Sequence, residues 1–179
     1  FFEGQFGMAV LSQYPIDVPN IRTFQKFLWK DMPGALAHIN EDGTPYYSPD
    51  AWDVFRLSSK SHWDIPIMID DTTVVHFLVS HPTPPVFDGP EDRNGKRNHD
   101  EIRFWADYIN STASAYIVDD NSKPGGLDDE DAFFVIAGDQ NSDPFDGDSV
   151  PGAAQLLLDH PLVNTDMTPS SLGGPDQAM

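Results

Sequence analysis

The chain has 179 residues, one domain's worth and enough to bury a sizeable core, with 29 acidic against 10 basic residues and a formal charge of -19. Such a surface repels nucleic acid and anionic membranes, which weighs against a DNA groove built on basic residues, and the absence of cysteine excludes disulfides, thiolate catalysis and thiolate zinc sites. No apolar run approaches the roughly 20 residues needed to span a bilayer.

In chain order, Gly4 to Ile16, GQFGMAVLSQYPI, reads as an early strand, and Ile21 to Trp29 as a short helix or packed loop stopped by Met32-Pro33-Gly34. Asn40 to Asp50 is turn-rich. Trp52 to Leu57 and Ile65 to Ile69 read as strands joined by Ser58 to Asp64, SSKSHWD. Val74 to Ser80, VVHFLVS, is an apolar strand ending in His81 and the stiff run Pro82-Thr83-Pro84-Pro85, which opens a fixed, irregular loop extending to Lys96. Asn98 or Asp100 then caps a helix whose apolar positions Ile102, Trp105, Ala106 and Ile109 follow the i, i+3, i+4, i+7 rule. Asp119 to Asp131 is an acidic insertion, a solvated loop or a structural calcium site. Phe133 to Ala137 is a second buried strand, and Pro151 to Leu158 forms a second helix.

The strand at 133–137 stops in Gly138, and Asp139 and Asn141 follow at a spacing that puts a carboxylate and an amide on one side of an extended chain. That pair suits a hard cation and a phosphate oxygen, and it suits an Asx-rich surface turn equally well. Asp139, Asn141 and Asp143 also have the first three spacings of an EF-hand loop. Pro144 stands where the sharp turn needs glycine, Val150 where a bidentate glutamate is needed, and a strand precedes where a helix should.

A strand ending in S-H-P-T-P-P, then a helix, then a strand ending in G-D-Q-N resembles the endonuclease/exonuclease/phosphatase superfamily, the fold of DNase I, sphingomyelinase and apurinic endonucleases. GQFGMAVLSQYPI is similar to that family's earlier strand, and Phe87 to Ile109, FDGPEDRNGKRNHDEIRFWADYI, resembles a bacterial branch of large exported proteins. The resemblance implies an α/β fold of two packed mixed or antiparallel β-sheets flanked by helices over residues 1–179, with both ends of the domain missing, and an extracellular or periplasmic location. It implies hydrolysis of a phosphodiester or phosphomonoester by a metal-assisted water. The alternative is a non-catalytic module of a larger extracellular protein that keeps the fold.

Under that resemblance His81, Asp139 and Asn141 are the catalytic residues and converge at one end of the sheet. Asp139 and Asn141 hold a divalent ion, Mg²⁺ in the first place, with Mn²⁺ or Ca²⁺ as substitutes. Lys60 and His62, in a joint that lies near the family's phosphate site, contact a phosphoester substrate, either a small molecule or a nucleic acid. Asp159-His160 comes too soon after G-D-Q-N to be the family's closing S-D-H, and His160 is read as a cap-region residue.

Overall fold

The computed structural model describes residues 6–127, 129, 131–168 and 173. Four strands form one mixed sheet in sequence order: β1 (Arg22–Thr23), β2 (His62–Met68), β3 (Val74–Ser80) and β4 (Phe133–Ala137). β1 and β2, and β2 and β3, run antiparallel, whereas β3 and β4 are parallel, in register from Val75 opposite Phe133 to Val79 opposite Ala137. A parallel pair needs a crossover, and α2 (Arg93–Tyr108) supplies it. Two short helices, α1 (Pro49–Trp52) and α3 (Gln155–Leu158), and three single turns of 3-10 helix complete the regular structure of the described residues. The fold is α/β as expected. A second packed sheet is not formed among the described residues.

The core lies between the sheet and α2. Ile102, Trp105, Ala106 and Ile109 are all buried, as their helical spacing predicts, and Phe104 and Tyr108 widen the stripe. Phe24 sits in the middle, edge-on to Phe104 at 5.1 Å and to Tyr108 at 5.4 Å between ring centroids. Such pairs add about 0.5–1.5 kcal/mol each beyond the area they bury. Phe134 and Ile136 of β4 face this cluster. Phe133 and Val135, on the other side of the same strand, are 65% and 49% exposed.

Several elements differ from the sequence expectation, each for a local reason. Gly7 to Leu11 is irregular, and only Ile16 reaches the sheet, through an isolated bridge to Ile67; Gly4 and Gln5 lie outside the described residues. The 52–57 segment is no strand, because Ser48 accepts from the Ala51 amide and Pro49 starts the short α1, leaving Arg56 a single bridge to Leu28. α2 begins at Arg93, so Asn98 and Asp100 are not caps. Both are fully buried in its second turn. Asp100 accepts from the Trp29 indole at 2.6 Å and the Leu36 amide at 2.8 Å. The acidic insertion folds inward at its start, where Asp119 pairs with buried Arg22 at 3.0 Å and Asp120 accepts from the amides of Gln25 and Lys26. Asp128 and Glu130 of that insertion lie outside the described residues, as do 169–172 and 174–179 of the C-terminal tail. No described helix is long and apolar enough to cross a membrane.

Candidate active site

β3 and β4 are parallel neighbours, so their C-terminal ends emerge side by side. The turn that follows each is therefore placed against the other. Gly138 makes the approach possible: its φ is +128°, and a Cβ there would lie 2.0 Å from the Ser80 carbonyl oxygen, so no other residue fits. Asp139 and His81 meet across this seam, with Nε2 3.9 Å from Oδ2, well inside the reach of one small site. That separation is too long for a hydrogen bond, but a single oxygen atom can touch both groups at normal hydrogen-bond lengths.

Asn141 does not continue an extended chain. It adopts a left-handed φ of 50°, which asparagine tolerates, and its amide donates to Asp139 Oδ1 at 2.9 Å. The Asx turn and the convergence of the two side chains are thus one structure, and the turn fixes the aspartate. Asn141 Nδ2 then donates to the Pro82 carbonyl at 3.1 Å. The same carbonyl accepts from Lys60 Nζ at 3.1 Å. Pro82 is where the three loops meet.

Lys60 is half-buried, and desolvation holds its ammonium below the usual lysine range, with Glu101 and Asp139 pulling it back up. It lines a cleft of ≈ 760 Å³ together with Arg97, Trp63 and Met8. His62 occupies no such place. It is 1% exposed at the start of β2, with Nε2 2.8 Å from the Glu101 carbonyl and Nδ1 on the Ser58 hydroxyl. The period-two alternation of β2 turns it into the core, so the expected substrate contact does not hold for His62, while its neighbour Lys60 remains at the cleft.

On the far side of Asp139 a groove of ≈ 910 Å³ carries Asp143, Asp146 and Asp148. No group of three or more His, Cys, Asp or Glu side chains suited to a metal occurs among the described residues. Asp139 with Asn141 offers one charged and one neutral oxygen, a donor set that fits an ion keeping most of its own waters.

Two residues to which the sequence assigns no site role, Asn98 read only as a helix cap and Glu101, complete the site floor. Asn98 Nδ2 donates to the carbonyls of Thr83 and Gln140, each at 2.9 Å. Glu101 accepts from the Ser59 amide at 2.7 Å and, on its other oxygen, from the Thr83 amide. Their i, i+3 spacing on α2 is the signal available in the sequence, where Asn98 reads as a cap and Glu101 as one more polar helix position.

No curated protein and no solved structure matches the chain. The profile described as Endonuclease/Exonuclease/phosphatase family matches residues 1–178, nearly the full length. That family gathers hydrolases of phosphoester bonds, nucleases and phosphatases that typically work with divalent metals. With His81 and Asp139 brought together by two parallel strands and the profile spanning both, the chain belongs to the endonuclease/exonuclease/phosphatase family.

Proposed function

We propose that the protein is a metal-dependent phosphoesterase acting on a small phosphoester at the seam between β3 and β4. The observation that carries this reading is the approach of His81 to Asp139 across the seam, beside the Pro82 carbonyl that Lys60 and Asn141 share. A phosphoester's negative oxygens repel an attacking water, so hydrolysis needs donors and positive charge where charge builds up. Lys60 has hydrogens beyond the one it gives to Pro82, and Asn141 Nδ2 has a second; both face a phosphoryl oxygen placed in the seam. His81 stabilises the charge growing on the phosphoryl group, and Asp139 orients the water. Asp139 and Asn141 would hold Mg²⁺, with Mn²⁺ or Ca²⁺ as substitutes, which when bound withdraws charge from the phosphoryl group and acidifies water.

The small-substrate reading rests on charge. Lys60 and Arg97 line one cleft, Asp139 with Asp143, Asp146 and Asp148 lines a separate groove, and the chain as a whole carries -19. A short anion can sit on the cationic side. A long polyanion would have to cross the acidic groove.

The test is hydrolysis of bis(p-nitrophenyl) phosphate and p-nitrophenyl phosphate with Mg²⁺ or Mn²⁺. Turnover should vanish with chelator and return with added metal. Chelator-insensitive turnover would remove the metal from the reading, and no turnover on either ester would leave the non-catalytic module.

A further inference from the structure

We propose that Asn98 and Glu101, on one face of α2, are positioning residues that set the distances among Lys60, His81 and Asp139; the kinetic part of this claim rests on the phosphoesterase reading, the structural part does not. Each backbone group they hold lies within two residues of a site side chain. Ser59, bound by Glu101, precedes Lys60. Thr83, held through its amide by Glu101 and through its carbonyl by Asn98, follows His81 by two. Gln140, bound by Asn98, stands between Asp139 and Asn141. Three loops without regular structure are thus fastened to a single turn of one helix.

The chemistry of the two side chains is specific to this task. The carbonyls that Asn98 touches, those of Thr83 and Gln140 at 2.9 Å and of Asn141 at 3.5 Å, accept hydrogens, so only its amide nitrogen can hold them. A carboxylate of the same shape would face these carbonyl oxygens and be repelled. Glu101 is a carboxylate 1% exposed. Core stability alone does not ask for it, since apolar residues of similar volume are often as good or better at such positions. What a carboxylate does, and an apolar residue cannot, is take one amide on each oxygen and so fix the gap between two loops. Lys60 and Arg97 lie close enough for their charges to act on it, and Arg97 itself donates to the Leu57 carbonyl at 2.8 Å, holding the start of the first loop.

The experiment compares the unmodified chain with Glu101→Gln and Asn98→Asp, by amide hydrogen exchange and by steady-state kinetics on bis(p-nitrophenyl) phosphate. Glu101→Gln keeps the shape but presents an NH₂ to one of the two amides, so one tether is lost. Exchange at Ser59 or Thr83 should accelerate at least tenfold while Leu78, in the middle of β3, is unchanged. kcat should fall about tenfold with KM within twofold. Asn98→Asp should loosen Thr83 and the 139–141 turn in the same local way; if it does not fold, Glu101→Gln decides alone. Acceleration spread equally to Leu78, or loosened loops with kcat unchanged, would overturn the proposal. Should the unmodified chain hydrolyse neither ester, the phosphoesterase reading fails by itself. The exchange pattern then decides the positioning role, local loosening supporting it and global loosening refuting it.

Discussion

β3 carries one histidine and is followed at once by another, and each faces an aspartate. His76 Nδ1 lies 2.8 Å from Asp64, whose side chain is 2% exposed and also accepts from Tyr108 at 2.6 Å, with Arg22 donating to that tyrosine at 3.2 Å. His81 and Asp139, five residues along, are 3.9 Å apart, and the aspartate is 68% exposed. By contact geometry alone the first pair is the better made. It is also the more fully spent, because Asp64 receives both His76 and Tyr108. The loose pair keeps open positions, and its aspartate borders the acidic groove. Tight satisfaction marks a polar group that holds the fold, and incomplete satisfaction at a strand end marks one free to meet a ligand.

Mutations can break that contrast. Asp64→Ala should have the largest effect on stability, about 4 kcal/mol, since it leaves a buried tyrosine hydroxyl and a histidine without their acceptor. In a chain of this size that lowers the melting temperature by roughly 10 °C, measurable by calorimetry. Turnover per folded molecule should stay within twofold. If Asp64→Ala abolishes turnover with the fold intact, the assignments of the two pairs are reversed.

Asp139→Ala and His81→Ala should show the opposite pattern. Each should lose about 3–4 kcal/mol of transition-state stabilisation, 10²- to 10³-fold in turnover, with a melting temperature within about 2 °C of the parent because both groups are partly or largely in solvent. Near-normal turnover in either variant would remove that residue from the mechanism.

His38 sharpens the comparison as a buried histidine with no hydrogen-bond partner on either nitrogen among the described residues, packed against Trp29 and Tyr47. Burial, aided by Lys96 and Arg97, pushes its pKa down to about 4. The unfolded chain takes up this proton near 6.5, the native state only near 4, so the neutral ring contributes its full stability above pH 6.5. The contribution is lost as pH falls from 6.5 through 4, about 3 kcal/mol in all. His38→Phe should flatten that acid limb in urea denaturation followed between pH 4 and 7; an unchanged slope would show that other groups set it. The smallest effect belongs to His76→Ala, about 1 kcal/mol, because the ring is partly exposed and Asp64 keeps Tyr108. A loss above 3 kcal/mol would mean that the pair is a buried charge couple.

The strands that frame the site were the most legible part of the sequence. β3 and β4 fall on the expected 74–80 and 133–137 because each is a continuous β-rich run closed by a sharp signal, Pro82 in one case and Gly138 in the other. His81, Asp139 and Asn141 could be placed as strand-end residues for the same reason. Where a residue's environment is set by distant chain, the pattern misled. His62 sits in a polar string, SSKSH, yet strand alternation and α2 bury it. Asn98 and Glu101 look like the wet side of an amphipathic helix, and only the three loops folding over that side reveal them as interior. The second sheet was expected from resemblance, with no period of its own behind it in Gly7 to Leu11.

The outermost strand, β4, has a further consequence for the molecule in solution. Its outer edge, unpaired among the described residues, and the exposed Phe133 and Val135 together make a surface to which another copy could add. What opposes that is the -19 charge, and charge repulsion reaches only as far as the ions around it permit, about 10 Å at 0.1 M salt and about 3 Å at 1 M. Colloidal behaviour is therefore tied to ionic strength: dilute buffer keeps the molecules apart, and concentrated salt, which also strengthens apolar association, brings these edges within reach of one another.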